Sequence, residues 1–166
     1  MKPKCLNLGC GDDIIREVDK DWINCDMYSS KSDVKCDIKC LPFEDDSVDL
    51  VYTSHVIEHF DFKEAFEVLK EWKRVLKPGG IIYMETPDLL ASCKKFIASD
   101  EQGRISMYGH FFSEPWVNPG MIHKFVYTEN QLKWTLERVG FKDIVRKPAV
   151  KYPAIQDTCM AMEAKK

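Results

Sequence analysis

The chain has 166 residues, 45% of them hydrophobic and 31% charged. That composition excludes a disordered or fibrous protein and fits one globular domain spanning 1–166. The formal charge of −3, from 24 basic and 27 acidic residues, is acidic over the first third and basic over the tail. It points to a small-molecule site and away from a nucleic-acid groove. No apolar stretch approaches the roughly 18 residues that span a membrane. Seven cysteines at irregular spacing, with no CxxC pair and no signal-like segment, read as reduced thiols of a cytoplasmic chain. Cys5, Cys25 and Cys159 sit among apolar neighbours, as core residues do.

In chain order, Cys5-Leu6-Asn7-Leu8 is a short buried strand that stops at the turn Gly9-Cys10-Gly11. Asp12 to Asp21 reads as a short helix. Trp22 to Asp26 and Val34 to Asp37 read as strands, each closed by an aspartate. Val48 to Ser54 is β-branched enough for a central strand. Asp61 to Lys77 is the clearest helix: Asp61 and Glu64 have capping-box spacing, and Phe62, Phe66, Leu69, Trp72 and Leu76 recur every three or four residues. Pro78-Gly79-Gly80 ends it, and Ile81 to Glu85 is the next strand. Leu89 to Ser99 is a helix with a Leu90, Cys93, Ile97 stripe. Periodicity then vanishes from Asp100 to Tyr127, a length of chain that in a compact domain serves as a substrate-side loop. Thr128 with Gln131 caps a last helix facing inward through Leu132, Leu136 and Val139, and Gly140 stops it. Phe141 to Val145 and Cys159 to Ala164 close the chain as strands. This alternation predicts an α/β fold, a Rossmann-like and largely parallel sheet flanked by helices, with the last strand antiparallel.

Ligands of open α/β sheets bind beyond the C-terminal ends of the strands. That rule gathers Gly9-Cys10-Gly11, Asp26 and Asp37 at one rim. Gly9 and Gly11 let the backbone approach a ligand. Asp26, placed after the second strand, suits two ribose hydroxyls, and Asp37 suits an exocyclic amine. The dinucleotide fingerprint fails, because Ile14 stands where a third glycine is needed and Asp12 and Asp13 would repel a pyrophosphate. A nucleoside carrying a positive group fits such a rim better.

Three ordered motifs carry a family likeness: Leu6-Asn7-Leu8-Gly9-Cys10-Gly11; Asp37 to Phe43 with Ser47 to Tyr52 and Ser54 to His59; and Trp72 to Gly80. They resemble the landmarks of class I S-adenosylmethionine-dependent methyltransferases, of the small type-11-like group, and Phe125 to Phe141 resembles that group's last helix. The resemblance implies S-adenosyl-L-methionine as cofactor, with Gly9 and Gly11 flanking its methionine part, Asp26 on the ribose and Asp37 on the adenine amine. Leu8, Cys10, Met27, Ile38, Ser54 and His55 complete the implied cofactor contacts, and Leu41 or its neighbours flank the base. Small members of the group found with sugar and cell-surface polysaccharide genes imply a small-molecule or saccharide acceptor. Amine methylation of nucleic acid is not implied, because Thr53-Ser54-His55-Val56 replaces the Asn/Asp-Pro-Pro-Tyr motif. The chain begins directly at the first strand, without the usual preceding helices. This reduced cap leaves the 100–127 loop, or the second subunit of a homodimer, to enclose the substrate.

Methyl transfer from a sulfonium rests mainly on alignment and requires no metal, and none is expected here. A hydroxyl acceptor gains from a base, for which the candidates are His123, His110 and His55. Tyr108, Glu114 and Asn118 are lesser polar candidates in the same stretch. Two alternatives compete with a methyl-transferring enzyme. One is a non-catalytic cofactor-binding or interaction protein that keeps the fold. The other is a zinc hydrolase, since His55-Val56-Ile57-Glu58-His59 matches the HxxEH pattern of inverted zinc peptidases. Lys73, Arg74 and Lys77 at a helix end are explained by the helix dipole.

Overall fold

A computed structural model describes residues 1–113 and 121–166; Glu114 and Asn118 lie outside the described residues. Six strands form one sheet: β1 (Lys4–Leu8), β2 (Asp21–Cys25), β3 (Val48–Ser54), β4 (Leu76–Pro87), β5 (Lys142–Lys147) and β6 (Cys159–Lys165). Their order is β2-β1-β3-β4-β6-β5. The first four run parallel, whereas β6 is antiparallel to both β4 and β5. The chain leaves β1 toward β2 and returns across it to β3. The topological switch therefore lies at the C-terminal ends of β1 and β3, where such sheets bind ligands.

Four helices accompany the sheet: α1 (Phe62–Val75), α2 (Leu89–Ala98), α3 (Glu101–Phe112) and α4 (Glu129–Val139). The capping box of α1 forms as its spacing predicts. Asp61 accepts from the Lys63 and Glu64 amides, and Glu64 accepts from the Asp61 amide. Its inward residues Ala65, Val68, Leu69 and Trp72 join Leu6, Leu8, Val51 and Ile82 of the sheet in one core, with Leu132 and Leu136 of α4. The Trp72 indole N–H donates to the Ile38 carbonyl at 2.9 Å, which pins the long β2–β3 connection to α1. Thr128 caps α4, and Gly140 ends it at φ 92°. The other face of the sheet carries an aromatic row. Trp22 meets Tyr52 edge-on at 6.3 Å, and Tyr52 stacks on Tyr83 at 5.9 Å.

Five sequence expectations are corrected. Asp12 to Asp21 is not helical, because its backbone is held by two buried asparagines. Asn24 Oδ1 accepts the Ile15 amide at 2.7 Å, and the Asn7 amide group donates to the Asp13 carbonyl at 2.9 Å. Val34 to Asp37 is no strand; only Val34 bridges to Cys25, and Asp33 spends its carboxylate on Asn24. Residues 101–112 are helical where aperiodicity predicts a loop. Asp100 caps this helix by accepting the Gly103 amide at 2.8 Å, and only Met107 of α3 is buried, so no apolar stripe marks it. In α2 the residue facing inward is Ser92, while Leu90 and Ile97 are exposed. Lys77 and Arg74 are engaged by Asp49, Asp45 and Glu71, so ion pairs add to the dipole.

All seven cysteines are unpaired, and Cys5, Cys25 and Cys159 are buried. No helix among the described residues is long and apolar enough to cross a membrane. Leu69, fully buried against the sheet, is expected to lose about 2–5 kcal/mol of stability as Leu69→Ala in urea unfolding. The exposed Val18 should change by no more than about 0.5 kcal/mol as Val18→Ser.

Candidate active site

The turn after β1 is made by its glycines. Gly9 and Gly11 both have positive φ, 65° and 50°. A Cβ on Gly9 would stand 2.6 Å from Val56 Cγ2, whereas one on Gly11 would meet nothing within 4 Å. Gly9 is therefore required by packing, and Gly11 leaves open space. The amides of Gly9 and Cys10 donate to the Cys25 carbonyl at 2.9 and 3.2 Å, which ties the turn to the end of β2. Asp26 strengthens that tie: Oδ2 accepts the Gly11 amide at 2.9 Å, and Oδ1 accepts the amides of Tyr28 and Ser29 at 2.7 and 2.8 Å. Asp37 Oδ1 accepts the Lys39 amide, and its exposed Oδ2 lies 3.8 Å from Lys39 Nζ at the rim.

Gly9, Gly11, Asp26 and Asp37 line one cavity of about 450 Å³, joined by Met27, Ile38 and His55. Cys10 and Ser54 border a smaller adjoining recess. Leu8 and Leu41 do not reach the cavity, since both side chains lie in the core. A second cavity of about 580 Å³ contains His110 and His123 and shares His55, His59 and Met121 with the first. Its wall is partly helical: Ser106, Gly109 and His110 come from α3. Tyr108 is exposed and lines neither of the two cavities.

His55 stands where the cavities meet, with a left-handed backbone at φ 54°. Its Nδ1 lies 3.2 Å from Glu58 Oε1 and its Nε2 3.7 Å from Cys159 Sγ, and Tyr152 packs edge-on against the ring at 5.0 Å. Burial alone would lower the His55 pKa, but the Cys159 sulfur and the Glu58 carboxylate outweigh it and raise it to about 10. Burial alone would raise the Glu58 pKa, but His55 brings it below the usual value. The two form an ion pair at neutral pH. That geometry also removes the peptidase reading of HxxEH, which requires His55 on a helical face with His59.

His110 and His123 differ from His55. Burial lowers the pKa of both His110 and His123. His123 Nδ1 lies 3.1 Å from the His110 carbonyl and must donate to it, which frees Nε2. His110 Nδ1 faces Thr158 Oγ1 at 3.2 Å. That hydroxyl gives its own hydrogen to the Ile155 carbonyl, so His110 donates and its Nε2 is also free. Sequence reasoning missed Tyr152, Thr158 and Cys159 as site residues, because only the β4–β6 register brings Cys159 beside Pro87 at the rim.

The Methyltransferase domain family matches residues 17–84. A S-adenosylmethionine-dependent methyltransferase of Archaeoglobus fulgidus superposes with a TM-score of 0.69 at 20% identity, covering 99% of this chain and 86% of that one. The chain has the fold of S-adenosylmethionine-dependent methyltransferases. A second enzyme so described, from Mesorhizobium loti, gives 0.63 at 16% identity over 99% and 91% of the two chains. An uncharacterized methyltransferase of Schizosaccharomyces pombe is 36% identical over 75 residues, 42% of this chain and 26% of its own. The chain thus matches about a quarter or less of the length of its curated relatives.

The site fits the methyl donor of that fold: Gly11 opens onto space, two carboxylates face the same cavity, and Ser54 Oγ is buried without a partner among the described residues. Gly9→Ala must displace Val56 and hold an alanine at positive φ, at about 1–2 kcal/mol for the backbone alone. Its melting temperature is expected to fall by several degrees. Gly109→Ala, helical and unobstructed, should hold or raise it. Differential scanning calorimetry checks both.

Proposed function

We propose that this domain binds S-adenosyl-L-methionine in the 450 Å³ cavity and methylates a hydroxyl of a small-molecule or saccharide acceptor held in the 580 Å³ cavity. The observation that carries this reading is the shared wall. The carboxylate-rimmed cavity and the histidine-lined cavity meet at His55 and His59, just past the end of β3. When bound, S-adenosylmethionine supplies a methyl group on a sulfonium, and its sulfur keeps the bonding pair as the methyl leaves.

The residues have distinct tasks in this reading. A carboxylate has about four lone-pair sites, and Asp26 already accepts three backbone amides. It therefore takes one ribose hydroxyl, where the sequence suggests two. Asp37 Oδ2 accepts the adenine amine. The glycine turn admits the methionine part, with Ser54 Oγ as an added polar contact. Alignment across the shared wall is the main source of rate, worth about 7–11 kcal/mol in well-oriented reactions. The acceptor proton goes to a neutral imidazole, His110 or His123. His55 is already protonated and serves instead to hold the rim, through Glu58 and Tyr152. A reducing cytoplasm suits the seven free thiols.

Calorimetric titration with S-adenosylhomocysteine is expected to show one site per chain. Asp26→Asn should weaken it about 10- to 100-fold, as expected for a hydrogen bond to a charged group. With a hydroxyl acceptor found by screening sugars and small alcohols, His110→Ala should lower kcat by about 10²–10⁴ at unchanged S-adenosylhomocysteine affinity. Absence of binding by the unmutated chain would refute the reading. Tight binding with no turnover across the panel would return the domain to a non-catalytic role.

A further inference from the structure

Glu58, His59 and His123 converge beside the acceptor cavity, and one ligating atom of each lies within 4.8 Å of the other two. Glu58 is fully buried. Its Oε2 accepts the Thr86 hydroxyl at 3.0 Å, but Oε1 receives no hydrogen bond among the described residues. That oxygen faces His55 Nδ1 at 3.2 Å and His123 Nε2 at 4.0 Å. His55 balances the charge of this buried carboxylate, and the second lone pair of Oε1 remains for a cation on the His123 side.

Both imidazoles are turned for ligation. His59 Nδ1 lies 3.2 Å from the Ile122 carbonyl, and His123 Nδ1 lies 3.1 Å from that of His110. A carbonyl can only accept, so each ring carries its proton on Nδ1 and presents Nε2 as a lone pair. A carbonyl behind the imidazole is the outer-shell arrangement that fixes tautomer and orientation in metal-binding histidines. The two rings stand 5.0 Å apart, centroid to centroid.

We propose that Glu58, His59 and His123 bind a divalent transition-metal ion whose open coordination positions face the acceptor cavity. Two nitrogens and one carboxylate suit zinc, cobalt, manganese or iron, whereas magnesium and calcium favour oxygen ligands alone. Bonds of about 2.0–2.2 Å put tetrahedral ligands about 3.4 Å apart, so the three side chains draw in by about an ångström on binding. Three protein ligands leave at least one position for an oxygen from the cavity, the pattern of catalytic sites. An acceptor hydroxyl bound there loses its proton more readily. With His123 ligating, His110 is the cavity imidazole left to take that proton. This role rests on the methyl-transfer reading, but binding of the ion does not. The ligand set also differs from the peptidase pattern, because His55 is excluded and the second histidine comes from the segment before α4.

The test is to strip the full chain with a chelator and titrate it with Co²⁺ by visible absorbance and with Zn²⁺ by calorimetry. S-adenosylhomocysteine is titrated in parallel. One equivalent of Co²⁺ with visible d–d bands is expected, weakened at least tenfold by His59→Gln and by His123→Gln. Glu58→Gln should abolish it. Glu58 is core, so the two histidine variants, checked for native circular dichroism, decide the matter if that variant does not fold. No uptake of Co²⁺, or uptake indifferent to both histidine variants, overturns the site whether or not S-adenosylhomocysteine binds. Co²⁺ uptake lost in the variants of a chain that fails to bind S-adenosylhomocysteine supports the site and removes the methyl-transfer reading instead.

Discussion

Asp26 sits where two stretches of chain leave the sheet, and its carboxylate accepts backbone amides from both. One oxygen fixes the glycine turn after β1; the other fixes the loop after β2. Amides that would otherwise need separate partners are thus satisfied by one side chain, and the two segments cannot move apart independently. Everything at the rim inherits this coupling. The cavity has Gly9 and Gly11 on one side and Met27 and Tyr28 on the other because a single charge holds them in register. Loss of its carboxylate is therefore felt first in the turn that shapes the cavity.

A second buried charge organises the far side of the same rim. Glu58 is the middle residue of a one-turn 3₁₀ segment, Ile57–His59, shortly after β3. Its backbone carbonyl receives the amides of Lys124 and Phe125, and its side chain reaches Thr86 at the end of β4. The segment that brings His123 to the site is therefore anchored on the residue whose carboxylate His123 faces. Backbone and side chain of Glu58 act on the same neighbours. That economy explains how His59 and His123, remote in sequence, share one cavity.

What the sequence reveals is what local chemistry dictates. The capping box at Asp61, the left-handed stop at Gly140 and the open turn at Gly9 and Gly11 each depend on a few consecutive residues, and each forms as expected. The failures share a different cause. Asp12 to Asp21 has enough polar and apolar alternation for a short helix, but Asn7 and Asn24 take its backbone groups from neighbouring strands. Helix α3 lacks a stripe because it buries so little, and aromatic contacts such as Phe96 with Tyr108 and Phe111 hold it to α2. Ser92 faces inward in α2 because it packs near Thr158, whose carbonyl accepts its hydroxyl. None of these partners is adjacent in sequence. The residues of the carboxylate-rimmed cavity are legible because they lie at strand ends, where topology alone gathers them. The second cavity is legible only as isolated histidines.

The histidine-lined cavity also depends on the reversed strand. β6 runs antiparallel to β4, and their register sets Cys159 against Pro87. The chain entering β6 must then arrive at the rim where the parallel strands end. It does so as the short turn Pro153–Thr158, preceded by Tyr152. Tyr152 packs on His55 and Thr158 orients His110, so this segment buttresses both histidines. A parallel sixth strand would enter the sheet at the other edge and leave His55 and His110 without these supports. Antiparallel insertion of β6 is thus the topological step that gives the rim its second cavity wall, where the sequence suggests only the 100–127 loop or a second subunit.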